Sequence, residues 1–191
     1  MKRKFKLFAT IASLCLCLAL MAFGVYAAGN LSYKATSSVK FEISDVFATV
    51  HVEMASTVGG VNGAAADKSY KSYDESDGAK AGNDELKAKE EALGAIVFTK
   101  SGDKVTYTLT LTNDGASPIT AGIKAEFTNP NDKALKVDLA YDNAGTAGTE
   151  ALSGVSLASG KSVKVTLTIT LLNMEYQIEE TPVTLTVTAA K

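Results

Sequence analysis

The chain has 191 residues, of which 46% are hydrophobic and 21% are charged, and its formal net charge is −2. Arg3 is the only arginine, so the guanidinium forks and basic patches that favour nucleic-acid or phosphate recognition are missing. Two cysteines and one histidine give little material for disulfides, thiol catalysis or metal centres.

The N-terminus has the three parts of a secretory signal peptide. Basic residues at positions 2–6 precede an uncharged apolar run at 7–23, and Val25-Tyr26-Ala27 supplies a small-residue cleavage site. We therefore predict that residues 1–27 are a signal peptide and that residues 28–191 form one secreted, extracellular domain. A retained membrane anchor is the alternative, because about 17 apolar residues are at the lower limit for crossing a bilayer.

Cleavage changes the composition of the domain. Cys15 and Cys17 lie in the apolar run, so the mature domain has no cysteine and must be stabilised by its core alone. Fifteen lysines then stand against 21 acidic residues, which favours solubility. We expect no stable membrane insertion after cleavage and no nucleic-acid partner.

Alternating hydrophobic residues predict the first strands of the domain. The period of two runs through 31–43 and again through 46–54, with a break at Ser44-Asp45. Either one bent strand changes face here, or two strands meet at a bulge.

Residues 55–94 have a different composition, rich in glycine, alanine and acidic residues. We predict a long surface loop that carries one short helix, with Asn83 as its N-cap, Asp84 and Glu85 in its first turn and Gly94 at its end. A loop of this length is unusual in a compact domain, so we expect it to be an insertion between strands.

The rest of the chain predicts one strand after another. The predicted strands are 95–100, 104–113, 119–127, 135–141, 162–172 and 182–188, with a loop at 143–148 and a loop or edge at 173–181. Many short alternating strands separated by polar turns indicate an all-β fold, an immunoglobulin-like antiparallel β-sandwich, with a barrel as the alternative.

The sequence offers no convincing catalytic or metal site. His51 is the only histidine, and its neighbours Val50 and Val52 point to the opposite face, which predicts a solvated position. The acidic segment 74–78 with Asp84 has some calcium-like spacing, but Tyr73 occupies the first ligand position of the EF-hand pattern. We assign no catalytic, cofactor-binding or metal-binding residue and expect no cofactor.

Three tyrosines, Tyr70, Tyr73 and Tyr176, are the candidates for exposed aromatic side chains. Two of them lie in the 55–94 loop, where they offer a stacking surface for a glycan. Alternatively, they pack this loop onto the sandwich, which is the reading that we favour.

The strand KVTYTLTLTNDG, the segment LASGKSVKVTLTITLL, the terminal TPVTLTVTAA and a signal ending in VYA resemble secreted β-sandwich proteins of Gram-positive bacteria. This is the group of TasA-like and camelysin-like biofilm-matrix proteins. The resemblance implies a cell-surface or matrix role with strand exchange between subunits.

We therefore expect a non-enzymatic structural or interaction module in an extracellular matrix or surface assembly. Its partners would be other copies of itself, joined through edge strands, or other surface proteins. One alternative is a glycan- or calcium-binding module that uses the 55–94 loop, and a secreted hydrolase is the last.

Overall fold

The computed structural model describes residues 33–56, 61–62, 67–76, 79–127, 133–143, 146–148, 152–174 and 181–191. The predicted signal peptide, residues 1–27, lies outside these ranges, as do both cysteines. Within these ranges, no helix has the length and apolar character needed to cross a membrane.

The described part of the chain contains fourteen strands and one turn of 3-10 helix, Asp84–Leu86. In chain order the strands are β1 (Tyr33–Ile43), β2 (Ala48–Ser56), β3 (Val61–Asn62), β4 (Asp67–Lys71), β5 (Tyr73–Ser76), β6 (Ala79–Gly82), β7 (Glu90–Phe98), β8 (Lys104–Asn113), β9 (Ile119–Phe127), β10 (Leu135–Asn143), β11 (Thr146–Gly148), β12 (Leu152–Leu157), β13 (Ser162–Leu171) and β14 (Thr181–Ala190).

The strands form two six-stranded sheets and one small pair. The first sheet has the order β12-β9-β14-β1-β7-β3, the second has the order β11-β10-β13-β8-β2-β4, and β5 pairs with β6. Every pairing is antiparallel except that of β1 with β14, which is parallel. The prediction of an all-β sandwich is confirmed.

Strict alternation along the strands builds the core between the two sheets. On β8 the side chains of Val105, Tyr107, Leu109 and Leu111 are fully buried, while the intervening threonines are half-buried. Strands β13 and β14 repeat the pattern, and the buried side chains of both sheets form one cluster. Complete burial stabilises each large aliphatic side chain by roughly 2 kcal/mol, so this cluster is the main source of stability.

A buried polar link joins the two sheets across the core. The hydroxyl of Tyr107 on β8 lies 2.6 Å from the hydroxyl of Ser37 on β1. The Ser37 hydroxyl donates to the carbonyl of Gly94 on β7 at 3.2 Å, so the Tyr107 hydroxyl serves as donor to Ser37. The pair therefore places two polar groups inside the core without leaving either of them unsatisfied.

Two buried polar side chains hold the turns at the ends of the sandwich. The Asn113 amide donates to the carbonyls of Ser117 and Leu157, both at 2.9 Å, and its oxygen accepts from the N–H of Gly115 at 2.9 Å. At the other turn, Asp103 Oδ2 accepts from the N–H groups of Thr99 and Lys100. These bonds satisfy backbone groups that the turns remove from the sheet ladders.

The helix predicted within 55–94 is not observed. Only the 3-10 turn Asp84–Leu86 follows Asn83, and the chain then enters β7 at Glu90, four residues before the predicted end at Gly94. Strand pairing with β1 buries Leu93 and Ile96, and this gain exceeds the weak helix propensity of the segment. The described part of the same region also contains the strands β3 to β6, which were not predicted.

Other boundaries differ in smaller ways. The break at Ser44-Asp45 separates two strands that belong to different sheets, since β1 lies in the first and β2 in the second. The predicted loop 143–148 contains the short strand β11, and β12 was not predicted at all. Of the predicted loop or edge at 173–181, residues 175–180 lie outside the described part of the chain.

Candidate functional site

The edges of the two sheets are the first candidate surface, because an edge strand can pair with a strand of another chain. The first sheet ends in β12 and β3, and the second ends in β11 and β4. Natural β-proteins protect such edges by shortening, bulges or charges. The four edges therefore differ in how readily they accept a strand.

The β12 edge is distorted by a bulge. Its pairing with β9 shifts register between Leu152 and Val155, and Gly154 within the bulge has a φ of 64°. A bulged strand bends away from the plane of its sheet. A straight incoming strand could therefore not form a continuous ladder here.

The side of the sandwich where β4 lies near β7 is covered by charged side chains. Lys68 of β4 lies 3.4 Å from Glu91 of β7, and Lys89 lies 3.0 Å from the same carboxylate. Hydrogen bonding to Lys89 is the main cause that lowers the pKa of Glu91. Beneath them, Tyr70 packs on Phe41 with 4.7 Å between ring centroids. Contacts between β4 and β7 therefore join the two sheets on this side and cover it with side chains.

Strand β10 differs from these edges because β11 covers only part of it. Strand β11 pairs with Tyr141 and the two residues after it, so within the described ranges residues 136–140 pair with β13 alone. No register shift interrupts this stretch. We call residues 136–140 the open edge of β10.

The direction of the backbone groups follows from the neighbouring hydrogen bonds. The carbonyl of Ala134 accepts from the N–H of Leu172, just after β13, at 2.7 Å. Because successive residues of a strand direct their backbone groups to opposite edges, Lys136, Asp138 and Ala140 face β13 as well. Val137 and Leu139 consequently direct their N–H and carbonyl groups away from the sheet.

The side chains of the open edge combine an apolar face with a pair of opposite charges. Val137 and Leu139 are half-buried and pack against the core. On the solvent face, Lys136 and Asp138 lie 2.9 Å apart and are 59% and 51% exposed. This stretch therefore has the alternation of a strand that could be interior to a larger sheet.

A second candidate surface lies at the end of the sandwich where the chain crosses from β1 to β2. Two clefts of about 230 and 190 Å³ flank this crossing and share Asp45, Val46, Phe47 and Lys191. The wall of the larger cleft includes Asn83, Asp84 and Lys87 from the 55–94 segment, and the wall of the smaller one includes Asn113, Gly115 and Ser117. Asp45 has a φ of 58°, a left-handed conformation that aspartate tolerates. Both clefts are small for a ligand site.

His51 occupies the half-exposed position on β2 that the alternation predicted. Its Nδ1 lies 2.8 Å from the hydroxyl of Ser69, and its Nε2 lies 3.3 Å from Glu53 and 3.5 Å from Asp67. These are the groups of a hydrolytic triad, but they lie on the outer face of the second sheet and line neither of the two clefts. Sequence reasoning missed them, because Ser69 and Asp67 are brought to His51 only by the pairing of β4 with β2.

Tyr70 and Tyr73 do not offer a stacking platform. Both are buried, with 6% and 4% exposure, and Tyr73 also packs edge-on against Phe47 at 5.7 Å. The prediction that they pack their segment onto the sandwich is confirmed, whereas Tyr176 lies outside the described residues. The hypothesis that these two tyrosines form a stacking surface for a glycan therefore has no support from the structure.

The acidic segment 74–78 is only partly described. Glu75 pairs with Lys71 at 3.2 Å, and residues 77 and 78 lie outside the described ranges. Across the ranges that the structure covers, no three histidine, cysteine or acidic residues form a group able to hold a metal ion.

Comparison with known proteins gives no family. No family model matches the sequence, and no curated protein matches it either. Among solved structures, similarity is found to the yeast delta-COP-I mu-homology domain, at 9% identity over 83% of this chain and 96% of that one, with a TM-score of 0.21. The same domain complexed with a Dsl1 WxWxV peptide gives 8% identity over the same shares and a TM-score of 0.19. Red sea bream transglutaminase gives 12% identity over 76% of this chain and 27% of that one, with a TM-score of 0.16. These scores are too low to support an argument about function.

Proposed function

We propose that this protein is a secreted, non-enzymatic structural module that associates through the open edge of β10. The observation that carries the proposal is the contrast among the edges. The β12 edge is bulged, the β4 side is closed by Lys68 and Glu91, and β3 spans only two residues, whereas residues 136–140 form a straight stretch. Backbone groups that point outward from such a stretch favour addition of a strand.

We also propose that the sandwich is of the immunoglobulin-like type and that the protein acts at a Gram-positive cell surface or in a biofilm matrix. Support for the first part comes from the connections, since the chain alternates between the sheets from β8 to β9 to β10 and again from β12 to β13 to β14. Support for the second comes from the signal-like N-terminus and from the resemblance to TasA-like and camelysin-like proteins.

The test uses the full chain expressed in a secreting Gram-positive host, with the protein recovered from the medium. Intact mass reports whether residues 1–27 are removed. Light scattering after size exclusion, over a hundredfold range of concentration, then reports association. We expect cleavage and a mass that rises with concentration. Retention in the membrane would contradict the secretion proposal, and a constant monomer mass would contradict association.

The matched variants are Val137→Pro and Val137→Ala. Proline removes the outward N–H and is tolerated on an edge, because the pairing with β13 does not use this group. We expect V137P to stay monomeric. V137A keeps the N–H but loses part of the apolar side chain, so it should still associate, more weakly than the native protein. Equal association of the two variants would exclude the open edge as the contact.

A binding module is the second candidate, and the two clefts favour it. Asp45, Asp84, Lys87 and Lys191 surround the larger cleft with charges of both signs, suited to a small polar ligand. Titration calorimetry with cell-wall sugars and with calcium tests it, using Asp84→Asn as the variant. Heat of binding that D84N abolishes would support this candidate, and no heat with either ligand would oppose it.

A further inference from the structure

We infer that the open edge of β10 pairs with the same edge of a second copy, antiparallel and about a two-fold axis at Val137. The inference rests on the proposed function and specifies its contact. The partner is thus a second copy of this chain, and the assembly unit is a dimer whose second sheet continues from one copy into the other.

The alternation of the strand restricts the possible registers. In a two-fold antiparallel pair, each residue faces a residue at the same distance on the other side of the axis. Opposed side chains must also lie on the same face of the continuous sheet, so the axis passes through a residue. Lys136, Val137 and Asp138 are the central candidates.

Charge selects among these three registers. An axis at Lys136 places two ammonium groups opposite each other, and an axis at Asp138 does the same with two carboxylates. Directly opposed like charges destabilise a strand pair. An axis at Val137 instead places Lys136 of each copy opposite Asp138 of the other. The sequence Lys-Val-Asp is therefore self-complementary in this register alone.

The backbone and the apolar face agree with the same register. Val137 directs its N–H and carbonyl outward, so the two copies of Val137 can exchange both hydrogen bonds at the axis. A register centred on Leu139 would place Val137 of one copy opposite Tyr141 of the other. The edge at Tyr141 is already occupied by β11. In the selected register the half-buried Val137 side chains meet on the core face, where each loses contact with water.

The test reverses the charges of Lys136 and Asp138, first one at a time and then together. We measure the dimer dissociation constant by sedimentation equilibrium for the native protein, K136D, D138K and the double variant K136D/D138K. Each single change turns two attractive pairs into two repulsive ones, so we expect dissociation constants on the order of tenfold higher or more. The double variant restores both attractive pairs and should return to within about threefold of the native value.

Mixing the two single variants separates the contact between copies from the ion pair within one strand. The K136D copy presents two carboxylates and the D138K copy presents two ammonium groups, so an equal mixture should form a heterodimer of near-native affinity. Neither copy regains its own Lys136–Asp138 pair in the mixture. Thermal unfolding of each variant controls for loss of folding.

The results show separately whether the proposed register is wrong or the proposed function is wrong. If the native protein associates, V137P does not, and the charge variants associate like the native protein, the edge is correct and the register is wrong. If the mixture is as weak as the single variants, the two-fold pairing is likewise overturned. If the native protein never associates, the proposed function fails and this inference fails with it.

Discussion

The buried hydroxyl pair between the sheets makes stability depend on pH in the alkaline range. Burial in the core raises the pKa of Tyr107 to about 12, from an ordinary value of 10.0, and a hydrogen bond that the Ser37 hydroxyl would donate to the ionised phenolate offsets only part of this effect. The folded protein therefore holds the phenol proton more tightly than the unfolded chain does. Stability from this group is complete below pH 10 and declines as the pH rises from 10 to 12.

The size of the effect follows from the shift. A difference of two pKa units corresponds to roughly 2–3 kcal/mol in the free energy of unfolding, lost across that pH range. In Tyr107→Phe the phenol is absent, so this part of the pH dependence disappears. At neutral pH the variant should lose about 1 kcal/mol for the hydrogen bond, since the Ser37 hydroxyl keeps its bond to Gly94.

The assay is urea unfolding at a series of pH values from 7 to 12, monitored by circular dichroism. The difference between native protein and Y107F should shrink and then change sign as the pH rises, while lysine titration affects both proteins alike. Tyr141→Phe, in the half-buried tyrosine of β10, is the control and should parallel the native protein. A constant difference between native protein and Y107F from pH 7 to 12 would refute the reasoning.

Three further substitutions test the structure through urea unfolding. Asn113→Ala leaves two carbonyls and one N–H of the turns without their partners and should cost about 3 kcal/mol, and N113D should cost at least as much, because it buries a carboxylate oxygen against the same two carbonyls. Gly122→Ala places a Cβ 2.6 Å from Thr188 Oγ1 and should cost about 1–3 kcal/mol, whereas G122A in a Thr188→Ala background should cost less. Asp103→Ala removes the acceptor for Thr99 and should cost about 2 kcal/mol, and a loss under 0.5 kcal/mol would contradict its role in the turn.

The strands were predictable where one face alone is buried. Lys104–Asn113 and Ile119–Phe127 have the predicted bounds, because each alternates cleanly and ends at a turn signal. Strand β12 shows no such alternation, since its bulge at Gly154 breaks the period. The segment before Gly94 favours a helix by local propensity, and only its pairing with β1 explains why it is a strand.

The sequence predicts the type of contact surface, an exposed strand edge, but not which strand provides it. Alternation in 135–141 predicts a strand, but nothing in these residues tells that β11 covers one end of β10 and leaves 136–140 uncovered by a described strand. Likewise, the sequence gives Lys136 and Asp138 as an ordinary exposed pair. These two residues can pair with a second copy only because β10 has an open edge, and the order of strands in the whole sheet determines that edge.

The parallel pairing of β1 with β14 has a mechanical consequence. The two strands run side by side in register from Ala35 with Thr181 to Ile43 with Ala189. A force that pulls on the start of β1 and on the end of β14 therefore acts in shear along the ladder and loads all of its hydrogen bonds together. The domain should resist tension far better along this direction than if its terminal strands could be peeled apart one bond at a time.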